Sequence, residues 1–134
     1  MLLRTSAAAF VSLLLIVNAA SAHHSDAAFD SRQRVTLQGV VTRFSWENPH
    51  IRVYLDVTDA GGARATWAVE GNPPGRIGGR GLKNALKVGE AVTISAYRAK
   101  DPSARSARGY GLVLADGRRF MIGSSGTDAP PAIK

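Results

Sequence analysis

Three histidines are the residues of this chain best suited to hold a metal, and two of them are adjacent: His23 and His24 in SAHHSDAAFD, with His50 following in WENPH. What precedes His23 gives it weight. Met1 to Arg4 is a short positive start, Ala7 to Val17 is almost wholly apolar, and Ala20-Ser21-Ala22 sets small residues before a cleavage point. This reads as a secretory signal peptide over residues 1–22, and removal after Ala22 makes His23 the first residue. A free α-amine has a pKa of ~7.7, so a metal displaces its proton near neutral pH. The amine and imidazole of His23 can then chelate one ion. A nitrogen from His50 would complete a T-shaped three-nitrogen set, an N-terminal histidine brace, which suits Cu(II). A second arrangement uses the amine, the backbone nitrogen of His24 and the His24 imidazole. The square-planar motif with histidine third is absent, because Ser25 stands there. The competing reading makes His23 and His24 a polar terminus and His50 the start of a strand.

A second set of residues points to ligand binding without a metal. Trp46, Glu47 and Asn48 lead into Pro49 and His50, and Asn-Pro is a turn former. A later stretch, AKDPSARSARG (99–109), is a basic loop carrying Lys100, Arg105 and Arg108, with Arg98 just before it. Aromatic and cationic groups on one face could hold an acidic small molecule, a glycan or an envelope protein. The same arginines also suit a solvated surface. PPGRIGGRG (73–81) could cradle an anion on backbone N–H groups, but its spacing matches neither the P-loop nor the dinucleotide fingerprint. No GxSxG or HExxH occurs and the carboxylates are dispersed, so the residues lean away from an enzyme.

The elements that must position these residues are strands. HIRVYLDVTD (50–59) alternates, with Ile51, Val53, Leu55 and Val57 inward, and RATWAVE (64–70) alternates after the DAGG turn. RVTLQGVVTRF (34–44) changes apolar phase at Gly39-Val40-Val41, and a slip at a glycine predicts a β-bulge or a sharp bend there. Residues 23–33 read as a polar lead-in. LKNALK (82–87) predicts a short helix, VGEAVTISAYR a turn and a fourth strand, and YGLVL-ADG-RRFMI a hairpin. Three meandering strands, a short helix and two or three more strands are the order of an OB-fold. The expected class is therefore all-β with a small helix insert, an OB-fold-like Greek-key barrel of five to six strands over residues 23–122. Residues 123–134 read as a loose tail, and a small β-sandwich is the alternative.

The balance of charge is basic, 17 Lys and Arg against 10 Asp and Glu, net +7. In an exported protein that favours anions outside the cytoplasm, so no nucleic acid is expected. There is no cysteine, which excludes disulfides, thiolate metal sites and a cysteine nucleophile. The apolar run of the leader falls short of the ~20 residues of a membrane span, so none is expected after cleavage.

AHHS at the junction, GVVTRFSWENPHIRVYLDV, WAVE, LKVGEAVTISAYRAKD and LADGRRF resemble a family of small secreted bacterial proteins known only as a domain of unknown function. Its sharpest marks are the paired histidines and the Trp46, Asn48, Pro49, His50 motif. The chain departs from it at Leu82, where the family tends to carry tryptophan. The resemblance implies export and a small β-barrel-like fold, and no established activity. Together these readings describe a periplasmic or secreted binding protein that takes copper on its histidines. The alternative is a metal-free module for an acidic ligand or partner.

Overall fold

The computed structural model describes residues 27–78 and 81–124. Residues 1–26, including the expected signal peptide, His23 and His24, lie outside the described residues, as do residues 125–134. Among the described residues there are six strands: β1 (Phe29–Ser45), β2 (Arg52–Thr58), β3 (Arg64–Glu70), β4 (Ala91–Ala99), β5 (Ser106–Leu114) and β6 (Arg119–Met121). A 3₁₀ turn (Pro74–Arg76) and a short helix α1 (Gly81–Ala85) lie between β3 and β4.

Pairing closes these strands into a ring. β1 pairs with both β2 and β4, β2 pairs with β3, and β4 pairs with β5, all antiparallel. The ring is completed by a parallel contact of β3 with β5 over three register pairs, Ala68↔Ser106, Val69↔Ala107 and Glu70↔Arg108. β6 folds back on β5 as a hairpin. This connectivity is the five-stranded Greek-key barrel of OB type, with one added strand. A sandwich of two separate sheets is excluded by the ring.

Alternation fills the barrel. Val53, Leu55, Val69, Ile94, Leu112 and Ile122 are buried, and Ile77, Leu82 and Leu86 join them from the β3–β4 connection. Leu82 is thus a core residue.

Three expectations are corrected. β1 begins at Phe29 rather than at Arg34, because Phe29 pairs with Ala99 and the Lys100 N–H donates to the Ala28 carbonyl at 2.9 Å. Its residues 31–34 are exposed and lack apolar alternation, so only the distant partner marks them as strand. The phase slip lies between Val41 and Arg43, not at Gly39. Val41 is buried, Val40 is 45% exposed, and inward phase passes to Phe44 after Thr42. Gly39 serves close approach instead: a methyl there would overlap the Asp56 carbonyl. The basic loop is shorter than expected, since β5 begins at Ser106 and takes Arg108 into the sheet.

Gly39→Ala is therefore expected to lower the free energy of unfolding by about 1–3 kcal/mol, the usual cost of overpacking. Gly75→Ala, which meets nothing within 4 Å, should change it by less than about 0.5 kcal/mol. Urea unfolding of both variants checks the pair. Equal stabilities would remove the close-approach role of Gly39.

Candidate functional site

Two partly buried polar side chains, His50 and Arg108, converge on one carboxylate. Glu70 ends β3, and the register sets Arg52 of β2 on one side of it and Arg108 of β5 on the other. Val53, Val69 and Ala107, the neighbours in the chain of these three residues, are fully buried, so alternation turns Arg52, Glu70 and Arg108 to the outer surface. Arg108 Nη1 approaches Glu70 Oε1 at 3.4 Å and also donates to the Gly71 carbonyl, while its Nη2 donates to Asn72 Oδ1 at 3.1 Å. Arg52 Nη2 stands 3.8 Å from Glu70 Oε2.

His50 completes the cluster. Its Nδ1 lies 2.9 Å from Glu70 Oε1. A carboxylate oxygen only accepts, so Nδ1 carries the proton and Nε2 is the ring's remaining nitrogen. Backbone bonds hold the histidine there: the Ile51 N–H donates to the Asn72 carbonyl at 3.2 Å, and the Gly71 N–H donates to the Ile51 carbonyl at 2.9 Å. The peptide bond Asn48–Pro49 is cis. The side chains of His50, Glu70 and Arg108 are only 12–15% exposed, against 48% for Arg52, so the first three interact in a medium that weakens charges less than water does.

The residues marked out in the sequence fall into separate places. His50 and Arg108 come together through Glu70. Trp46 is half-buried, packs on the core and meets Phe44 edge-on at 5.8 Å, while Glu47 and Asn48 are exposed in the β1–β2 loop. Arg98 and Arg105 both approach the ring of Trp67, and Lys100 is exposed on the β4–β5 loop beside them. His23 and His24 lie outside the described residues. Glu70, Asn72 and Trp67 were not singled out in the sequence as functional. A hint was available for Glu70, a charged residue closing an apolar strand beside a glycine, but its partners stand 18 and 38 residues away on other strands.

Local hydrogen bonds hold three exposed carboxyls below the ordinary value. The Arg32 guanidinium pulls Asp30 down to about 2, and local bonds from Ser103 and Arg118 lower Asp101 and Asp116. Among the described residues no three histidine, aspartate or glutamate side chains group as a metal set. Nor is any described helix long and apolar enough to cross a membrane.

The fold and this cluster define an OB-type barrel with a histidine–carboxylate–arginine network on its closing seam. By sequence the chain belongs to the family of unknown function DUF6152, whose model matches residues 11–108. No curated protein matches it. Among solved structures it is similar to two crystal forms of Rim1, a mitochondrial single-stranded DNA binding protein of S. cerevisiae. The first is 15% identical, with a TM-score of 0.49, covering 72% of this chain and 99% of that one. The second is 14% identical, with a TM-score of 0.48, covering 67% and 98%.

If Arg108 clamps the seam, Arg108→Ala should cost about 2–4 kcal/mol of stability, because it strips partners from Glu70, Gly71 and Asn72 in a shielded place. Arg52→Ala, at a longer and more exposed contact, should cost at most about 1 kcal/mol. Denaturant unfolding measures both. Equal losses would mean that the Arg108 contacts add no more than a surface pair does.

Proposed function

We propose that the protein is an exported small binding protein that takes a transition metal, copper first, on His50 and its mature N-terminus. The observation that carries this reading is the 2.9 Å contact between His50 Nδ1 and Glu70. Imidazoles that ligate metals usually give their other ring N–H to a carboxylate or carbonyl, which fixes the tautomer and raises the basicity of the ligating nitrogen. Here that arrangement leaves Nε2 as the donor. His50 makes no second hydrogen bond among the described residues, so the pairing with Glu70 occupies only one of its nitrogens.

The other ligands come from His23, through its amine and imidazole, and from His24. The chain joins the barrel at Ala28, whose carbonyl accepts from Lys100, so five residue steps separate that anchor from His23. Extended, they reach roughly 17 Å. Nitrogen ligands in a tetragonal set favour copper among the first-row ions. Glu70 is the positioning residue: it holds the imidazole and does not itself need to touch the ion.

The test uses the processed chain beginning at His23, the same chain with one extra alanine before it, and His50→Gln. Copper titration followed by electron paramagnetic resonance should give a tight 1:1 three-nitrogen signal in the first. The added alanine turns the amine of His23 into an amide and should abolish that signal with no change in thermal stability. His50→Gln should lose one nitrogen from it. Identical weak signals from the processed and extended chains would overturn the reading, whatever His50→Gln does to folding.

A further inference from the structure

The β4–β5 loop and its flanks gather three cations, Arg98, Lys100 and Arg105, against one carboxylate of the loop, Asp101. Arg98, one residue before the end of β4, is half-buried, and its Nη2 donates to the Pro102 carbonyl at 2.9 Å. Its Cζ lies 5.4 Å from the ring centre of Trp67. Arg105, the last residue before β5, is exposed and lies 5.8 Å from the same ring. Trp67 is a core residue, only 6% exposed. Two guanidiniums therefore converge on one indole. The ring attracts each of them, but the two like charges oppose one another.

The contrast with Arg108 is instructive. That guanidinium is partly buried and meets Glu70 and two further acceptors. Among the described residues neither Arg98 nor Arg105 has a carboxylate partner, and Arg98 Nε is buried with no hydrogen-bond partner. A buried donor left unmade is costly, and most such donors in folded proteins find a partner. The loop's own acid offsets only one of the three positive charges, and its Oδ1 accepts from Ser103, through the N–H at 2.9 Å and the hydroxyl at 2.7 Å.

One kind of ligand offsets the excess of positive charge at this loop. A small oxyanion offers several acceptors to guanidinium forks, whose geometry suits phosphate, and it neutralises the like charges that meet at the ring. Lys100, exposed on the same loop, supplies a third cation. Three cations call for more than one negative charge, and a phosphate monoester carries about −1.5 to −2 at neutral pH. We propose that Arg98 and Arg105, with Lys100, form a binding site for phosphate or a phosphate monoester at the rim of Trp67. This site is separate from His50 and does not depend on the metal reading.

Trp67 is its own reporter. In a Trp46→Phe background, so that Trp67 is the remaining tryptophan, emission is followed while inorganic phosphate, or glycerol phosphate as a soluble monoester, replaces chloride at constant ionic strength. A saturable change with either ligand is expected, and the tighter of the two names the source of the group. Arg105 is exposed, so Arg105→Gln should fold normally and weaken binding by about tenfold or more, the loss expected for one charge-assisted contact. Lys83→Gln, on the exposed side of α1, should leave binding unchanged. A response that never saturates, that chloride alone reproduces, or that is equally strong in Arg105→Gln and Lys83→Gln overturns the proposal.

Discussion

The barrel depends on a short parallel seam. Four of the five contacts in the ring are antiparallel ladders of six or more register pairs, but β3 meets β5 over three. Unpaired strand edges expose N–H and C=O groups and invite wrong partners, so a barrel gains most from closing the last one. Glu70 and Arg108 stand opposite each other at the final pair of this seam. Their side chains carry the contact beyond the backbone ladder, because Arg108 also gathers the Gly71 carbonyl and Asn72 at the point where β3 gives way to a turn.

Close packing of backbone reinforces the same place. The segment after β6 crosses here: the Asn72 N–H donates to the Ile122 carbonyl, and the Ile122 N–H donates to the Tyr110 carbonyl at 3.1 Å. A side chain at Gly71 would strike Ile122 and Ile51, one at Gly109 would strike Ile122 and Val69, and one at Gly123 would strike the Gly109 backbone. Three glycines therefore let three pieces of chain lie against one another, and the ion pair fixes their register. His50 is drawn into this arrangement because the backbone of Ile51 is bonded to both Gly71 and Asn72. Its ring orientation is thus a consequence of barrel closure, and a site built on it inherits the rigidity of the seam.

The sequence reveals those parts of the fold that repeat over short distances. Alternation in Ile51–Val57 and Ala65–Val69 reads directly as strands, the ADG turn reads as a hairpin, and the order of elements reads as an OB barrel. What is not legible is set by distant partners. Residues 30–33 are polar, and they join β1 as the irregular step between the Phe29 and Arg34 pairings with β4. The bulge is displaced from Gly39 to the Val41–Arg43 step, since glycine marks two different needs, a kink or a close approach, and the neighbour that decides between them is Asp56. The site is half legible for the same reason. His50 and Arg108 are conspicuous by type, yet the acid that joins them is one unremarkable glutamate whose meaning appears only when β3 is laid between β2 and β5.

The two arginines that flank the start of β5 show how one strand can serve both structure and ligand. Arg105 and Arg108 are three residues apart and of the same type, but Arg105 is exposed beside a ring, whereas Arg108 is partly buried beside a carboxylate. At Arg108 the chain supplies Glu70, and the guanidinium becomes part of the closure. At Arg105 and Arg98 it supplies an aromatic ring and a carbonyl, neither of which carries a negative charge. A partly buried guanidinium is tolerable only with compensation, and a protein with net charge +7 has few acids to spare. Where compensation is internal, the residue is structural. Where it is missing, a ligand of opposite charge could supply it. That distinction assigns Arg108 to the fold and makes the loop beside Trp67 the place where we propose that an anion binds.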